Sequence, residues 1–124
     1  MHGLKKGSAG NRNWTVSGSG DSVYQSINGE PTYFASPESF INKEFSGSFT
    51  HNGDPGHWDN DYVGFVFGYN GLDDYYLFDW KQGNQDVAKA GFGLYKISAG
   101  SKNFWSHTGA GITTLATNLS TNKG

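Results

Sequence analysis

The sequence predicts an all-β protein, built as a sandwich or a barrel, on three observations. Of its 124 residues, 19 are glycine and 16% are aromatic, a composition typical of short strands joined by tight turns. Apolar and polar residues alternate along several short segments, as they do in a strand with one buried face. Turn residues separate these segments at short intervals, which is typical of sandwiches and barrels.

Eight segments carry the strand pattern, and most of them are bounded by glycine, proline, asparagine or aspartate. In chain order they are residues 14–17, 23–27, 32–35, 44–50, 61–69, 74–80, 91–97 and 113–117. The dipeptide Asn28-Gly29 is a strong hairpin signal. It predicts that the second and third segments pair with each other.

Residues 61–69 show the clearest alternation in the chain. One face carries large apolar side chains, namely Val63, Phe65, Phe67 and Tyr69. The opposite face is flat and small because Gly64 and Gly68 lie on it, so it either packs closely against another element or leaves room for a ligand. We therefore predict that the first face is part of the core.

Composition also limits the classes of function. The net charge of −2 gives no electrostatic basis for binding nucleic acid. No apolar run approaches the roughly 18 residues that a membrane-spanning helix needs. The chain has no cysteine, so outside the cell its stability has to come from the core, from metal ions or from neighbouring domains.

Residues 52–60 form a predicted loop that is rich in oxygen ligands. The candidate metal ligands lie in this loop and at its end: Asp54, Asp59, Asn60 and Asp61. Calcium binds six to eight hard oxygen ligands in flexible geometry, and this loop could supply several of them, although the spacing alone favours a solvated loop. The spacing differs from that of an EF-hand, and a solvated polar loop is the alternative.

Loop aromatics supply the candidate ligand contacts. Trp58 and Trp105 lie in glycine-rich or polar loops, where a large apolar ring is less expected, and we predict that they stack on sugar rings. Tyr69 and His107 complete the candidate set. Each of these residues has the alternative of folding over the edge of the sandwich. Trp80-Lys81-Gln82 also combines an aromatic ring, a cation and an amide, but we interpret it as the end of a strand.

Catalysis is not expected. A glycoside hydrolase needs two carboxylates about 5–9 Å apart. Asp59 and Asp61 have a suitable spacing, yet they lie at a junction of loop and strand that better suits an ion. The chain has neither a Gly-x-Ser-x-Gly motif nor a cysteine nucleophile.

One long motif resembles a known family. Asp59-Asn60-Asp61-Tyr62-Val63-Gly64-Phe65-Val66-Phe67-Gly68-Tyr69, followed after the next strand by Trp80-Lys81-Gln82, is similar to the C-terminal lectin-like domain of thrombospondins and its relatives in bacterial surface adhesins. The similarity extends upstream to Trp14-Thr15-Val16 and Phe45-Ser46-Gly47-Ser48-Phe49. Downstream it includes Phe104-Trp105-Ser106-His107, so it covers most of the chain.

The resemblance implies one lectin-like domain over residues 1–124. Its fold would be a jelly-roll sandwich of two antiparallel sheets, of the concanavalin or legume-lectin type, and it would bind calcium. It implies a secreted or cell-surface protein that binds carbohydrate or another surface ligand, with a structural spacer as the alternative and a glycoside-active enzyme as a less favoured one. We expect the strands that close the sandwich to come from a later segment or another chain.

Overall fold

The structure is a computed structural model that describes residues 13–27, 31–35, 38–50 and 61–119, with the backbone of residues 2–4. All the strands in these ranges pair antiparallel. None of the described residues forms a helix that could cross a membrane. The predicted all-β class is confirmed, and the antiparallel sheets are consistent with a lectin-like jelly roll.

The strands divide between two compact units, Met1–Phe45 and Ser46–Gly124. The first unit contains β1 (His2–Leu4), β2 (Trp14–Val16), β3 (Val23–Gln25) and β4 (Tyr33–Ala35). The second contains β5 (Val63–Gly71), β6 (Asp74–Lys81), β7 (Gly91–Ile97) and β8 (Ile112–Asn118). Seven of the eight predicted segments therefore contain a strand, and β7 has the predicted bounds.

The first unit consists of two two-stranded sheets, β1 with β4 and β2 with β3. The predicted pairing of the second and third segments is wrong. The turn between β2 and β3 is closed by hydrogen bonds from Ser17 N to Ser22 O (2.9 Å) and from Gly20 N to Ser17 O (3.0 Å). This turn pairs β3 with the strand before it, and β4 pairs with β1 instead.

The second unit is built on a four-stranded sheet in the order β5-β6-β7-β8, so each strand pairs with its neighbour in sequence. The predicted strand at residues 44–50 is not formed. Phe49 instead packs its ring 5.5 Å from that of Phe65 and 6.0 Å from that of Trp80. This ring contact buries part of Phe49 without a strand ladder.

The core of the second unit lies on the face of the sheet opposite to the predicted one. Its buried residues are Tyr75, Tyr95, Ile97 and Ile112, with Val66, Leu77 and Phe104 packed against them. Phe65 and Phe67, in the predicted core stripe, are each 48% exposed. On this side of β5 Val66 is half-buried while Gly64 and Gly68 are exposed. The buried part lies further along the sheet, where Gly93 leaves space for Tyr95: a Cβ at Gly93 would lie 2.1 Å from the Tyr95 hydroxyl.

Candidate functional site

Strand β6 places two charged side chains on the core side of the sheet. Asp79 and Lys81 are two positions apart, so they share a face, and they are 4% and 0% exposed. Asp79 lies between Gly64 on β5 and Gly93 on β7. Because neither neighbour has a side chain, the space around the carboxyl group is open to residues from another part of the chain.

The connection between β7 and β8, residues 98–111, supplies those residues, and we refer to it as the Trp105 loop. Asn103 Oδ1 accepts hydrogen bonds from the backbone N–H groups of Trp105 (3.0 Å) and Ser106 (3.1 Å). Gly109 has φ 118°, and a Cβ there would lie 2.2 Å from Ser101 O. His107 has φ 54°, a left-handed conformation that is uncommon outside glycine. These contacts hold the loop in one defined conformation.

His107 and Asp79 form a buried pair. His107 Nε2 lies 2.6 Å from Asp79 Oδ2, and the two side chains are 7% and 6% exposed. The imidazole stacks on the ring of Tyr95 at 4.0 Å and meets the ring of Tyr62 edge-on at 4.6 Å. Removing one member of a buried pair costs about 3–5 kcal/mol because the other is left without its partner. The pair therefore holds the Trp105 loop against the sheet.

The carboxyl group of Asp79 is electrostatically unusual. Burial raises the pKa of Asp79, and the hydrogen bond and charge of His107 offset only part of that increase. Its second oxygen, Oδ1, is buried and has no hydrogen-bond partner within the described part of the chain. A buried acceptor of this kind carries a desolvation cost, so Asp79 is not explained by stability alone.

Lys81 contacts the same loop through an aromatic ring. Its Nζ lies 4.5 Å from the ring centroid of Trp105 and 5.4 Å from that of Tyr62, and it donates a hydrogen bond to Gln85 Oε1 at 3.2 Å. A desolvated cation–π contact contributes about 2 kcal/mol or more. The ammonium group thus supports the indole of Trp105 from one side.

Tyr62 links the start of β5 to the same loop. Its hydroxyl donates a hydrogen bond to the carbonyl oxygen of Trp105 at 3.3 Å. Burial, followed by the charge of Asp79, raises the pKa of Tyr62 to about 12. The phenol therefore stays protonated at neutral pH and remains a donor. Trp105 is held through both its ring and its backbone.

The predicted ligand contacts do not form one cluster. Trp105 and His107 lie together, but His107 is buried against Asp79. Tyr69 packs 5.9 Å from Tyr75, at the register shift in β5 and at the opposite end of that strand from Tyr62. Trp58 lies outside the described residues. Of the predicted contacts in the described ranges, only half-buried Trp105 is held by this network and still partly open to solvent.

Sequence reasoning missed Asp79 and Lys81. Asp79 lies inside a predicted strand and Lys81 at its end, and their alternation with Trp80 places both on one face. The glycines opposite Asp79 were a second signal, because a strand flanked by small residues leaves room for a polar cluster. What the sequence does not show is that a loop about 25 residues further on covers that face.

Three of the four predicted calcium ligands, Asp54, Asp59 and Asn60, lie outside the described residues. The fourth, Asp61, is half-buried and directly precedes Tyr62. Within the described ranges no group of three or more His, Cys, Asp or Glu residues could hold a metal ion. The donor set itself, three carboxylates and one amide, has the hard oxygen chemistry that calcium requires.

The antiparallel all-β architecture is that of a β-sandwich module and is consistent with the lectin-like jelly roll. The thrombospondin C-terminal region family matches residues 9–121. The chain belongs to this family, which confirms the predicted thrombospondin resemblance.

Three relatives illustrate the similarity. Thrombospondin-2 from Gallus gallus is 37% identical over 73 residues, which is 59% of this chain and 6% of that protein. Thrombospondin-4 from Bos taurus is 34% identical over 78 residues, 63% of this chain and 8% of that protein. Thrombospondin-1 from Xenopus laevis is 37% identical over 70 residues, 56% of this chain and 6% of that protein. No solved structure matches the chain.

The chain thus spans 6–8% of the length of these curated relatives. Thrombospondins are secreted, so the predicted extracellular location is confirmed. In animal thrombospondins this region binds calcium, and the family consists of structural and binding modules.

Proposed function

We propose that this chain is a calcium-supported module that binds carbohydrate or another cell-surface ligand, in an adhesin-type surface protein of a bacterium. The observation that carries the proposal is half-buried Trp105. Its ring contacts Lys81 and Tyr62, and its backbone is hydrogen-bonded to the Tyr62 hydroxyl and the Asn103 side chain. An aromatic ring at a fixed position is a typical platform for the C–H face of a sugar. The bacterial source rests on the sequence resemblance alone.

Uncharged hydrogen-bonding groups near Trp105 support a neutral sugar as ligand. Asn103 and Thr108 are exposed, and Ser106 is half-buried. The hydroxyl groups of Ser106 and Thr108 lie 2.7 Å apart. Binding sites commonly combine an apolar surface with a few well-placed polar groups. We assign the chain no catalytic activity, because its Asp–His pair is buried rather than presented to a substrate.

Calcium is proposed for the loop that ends at Asp61. Support comes from the donor chemistry, from the family and from the position of Asp61 beside Tyr62, which contacts the Trp105 loop. Calcium that binds only the folded state stabilises it by mass action. Replacing Asp59 and Asp61 with Asn should therefore lower the melting temperature in calcium but not in chelator. A melting temperature indifferent to calcium and to both substitutions would show that the site is wrongly assigned.

A structural or assembly role is the second candidate, favoured by a different observation. The sheet face opposite the core carries aromatic side chains that are partly exposed, including Phe65, Phe67 and Phe92. Exposed apolar patches often mark contacts with other protein surfaces. In this function the domain carries no small ligand, and its surface joins neighbouring domains or a complementary segment.

A glycan array, run in calcium and in chelator, separates the two functions. We expect the domain to bind neutral glycans in calcium, and Trp105→Ala to abolish that binding. Phe67→Ala is a matched control, because it removes an exposed aromatic ring from the other face. Tyr69→Ala tests the distant candidate separately. A blank array with folded protein would favour the structural role, and unchanged binding by Trp105→Ala would remove Trp105 from the site.

A further inference from the structure

We propose that Asp79 and Lys81 are positioning residues that fix the ring of Trp105 for ligand binding. This inference rests on the proposed function, since it takes Trp105 to be the ligand platform. Neither residue needs to touch the ligand. Both are buried on β6 beneath the Trp105 loop, and each reaches the loop at a different point.

Asp79 acts on the loop through His107. The 2.6 Å contact between the carboxylate and the imidazole fixes a residue two positions from Trp105. The stack of His107 on Tyr95 is parallel, with an interplanar angle of 0°. The stack on Tyr95 therefore fixes the orientation of the imidazole plane, and the contact with Asp79 fixes the position of its Nε2 edge. The left-handed backbone of His107 is held in the same way.

Lys81 acts on the indole directly. Its Nζ lies 4.5 Å from the ring of Trp105, and Tyr62 meets the same ring at a steep angle of 82°. The ammonium and the phenol therefore restrict rotation of the indole from two directions. Preorganising a contact residue in this way raises affinity, because less freedom is lost on binding.

The choice of charged residues supports a positioning role. Apolar residues of similar volume often replace a buried charge pair without loss of stability, so packing alone does not require Asp79 or Lys81. Charges do supply directional contacts that fix one arrangement of a loop. Asp79 and Lys81 are the two charged residues among the buried residues of the described ranges.

The same sheet contains a matched control for each residue. Lys96 Nζ lies 4.7 Å from the ring of Tyr76, and Lys96 also pairs with Asp74. Asp74 is exposed and Lys96 is half-buried, and neither is part of the Trp105 loop. Lys96→Met and Asp74→Leu therefore remove a cation–π contact and a carboxylate pair at a site outside the Trp105 loop.

The test follows the indole N–H of Trp105 by ¹H–¹⁵N NMR, with the signal assigned from a Trp105→Phe variant. We expect Lys81→Met and Asp79→Leu to shift or broaden this signal, while the signals of Trp14 and Trp80 keep their positions. Lys81→Arg should restore it, because the cation is retained. Lys96→Met and Asp74→Leu should leave it unchanged. In the unsubstituted protein, NOEs should connect Lys81 methylene protons with the Trp105 ring.

Affinity for a neutral glycan found on the array is the second readout. We expect Lys81→Met and Asp79→Leu to weaken binding about tenfold or more, as loosened positioning does, and Lys81→Arg to stay close to the unsubstituted protein. An unshifted Trp105 signal in the folded variants would overturn the inference. Missing NOEs in the unsubstituted protein would overturn it as well, even if a variant failed to fold. A blank glycan array would overturn the proposed function, and glycan binding that is independent of Trp105 would remove Trp105 from the site. In either case the NMR result would still decide whether Asp79 and Lys81 position the ring.

Discussion

The two faces of the four-stranded sheet reverse the usual distribution of polarity, and strand β6 shows this most clearly. Its core-side residues are Tyr75, Leu77, Asp79 and Lys81, and three of these four are buried. Its outward residues are Asp74, Tyr76, Phe78 and Trp80, all exposed or half-buried. Among the described residues, the side with two charges is the buried one, and the side with three aromatic rings is only half-buried.

This difference teaches that coverage, rather than hydrophobicity, decides which face of the sheet is buried. The Trp105 loop covers the core side, and it brings His107 to Asp79 and Trp105 to Lys81. On the outward side, Phe49 contacts Phe65 and Trp80. Charged residues on the core side are stable there because the loop supplies a partner for each of them.

Loss of His107 should give the largest effect. His107→Ala leaves Asp79 buried without its partner, and we expect the free energy of unfolding to fall by about 3–5 kcal/mol. Urea denaturation followed by circular dichroism measures it. The control is Asp74→Ala on the exposed side, where little change is expected because the Asp74–Lys96 pair is open to solvent. Equal effects of the two substitutions would remove the distinction between the faces.

A methyl group added to the core side should give the next largest effect. In Gly93→Ala the new Cβ would lie 2.1 Å from the Tyr95 hydroxyl, and Tyr95 is itself stacked on His107. Overpacking of this kind costs about 1–3 kcal/mol. Gly18→Ala is the control, because no atom lies within 4 Å of its Cβ. If both variants melt at the same temperature, the space above Gly93 is not needed by Tyr95.

The charge of Asp79 should make stability depend on pH. Burial raises the pKa of Asp79 above 3.8 in the folded state. The protonated carboxyl group therefore stabilises the folded state fully at a pH below the unfolded-state pKa. This stabilisation is lost as the pH rises through the folded-state pKa. In Asp79→Asn the amide oxygen still accepts a hydrogen bond from His107. Because the amide does not titrate, this variant does not lose that stabilisation as the pH rises. We therefore expect the stability of Asp79→Asn relative to the unsubstituted protein to increase as pH rises from about 4. Denaturation curves between pH 3 and pH 8 measure this difference, and a difference that falls with rising pH would contradict the sign.

Removal of one hydroxyl should have the smallest effect. Tyr62→Phe keeps the ring beside His107 but loses the hydrogen bond to the Trp105 carbonyl. We expect a loss of about 0.5–1.5 kcal/mol and faster hydrogen exchange of backbone amides in residues 98–111. Exchange in β8 should stay slow. An unchanged exchange rate in the loop would show that Tyr62 does not hold it.

Sequence reasoning predicted the strands of the second unit well, because alternation is a local property. Residues 91–97 were predicted with their actual bounds, and β5, β6 and β8 to within two residues at each end. The buried face was not predicted, since both faces of residues 61–69 contain apolar residues and the choice depends on a loop after β7. Lys81 is the clearest case: a lysine at a strand end is usually exposed, and its burial depends on Trp105.

Of the candidate site, the sequence identified the residues of the loop but not what lies beneath it. Trp105 and His107 stood out because an aromatic ring and an imidazole are unusual in a polar loop. Their roles differ, since His107 faces inward and Trp105 remains partly exposed. Burial of a polar group depends on partners that are distant in sequence, and Asp79 and His107 are 28 positions apart. Local patterns do not contain that contact.

The central claim is that Asp79 and His107 act as one buried unit that holds the Trp105 loop on the sheet. A double-mutant cycle tests it most directly, with Asp79→Ala, His107→Ala and the double variant measured by urea denaturation. We predict that the double variant loses less stability than the sum of the single losses, with a coupling of about 1–3 kcal/mol. The same cycle on Asp74 and Lys96 should give a coupling near zero. Additive losses at Asp79 and His107 would contradict the claim.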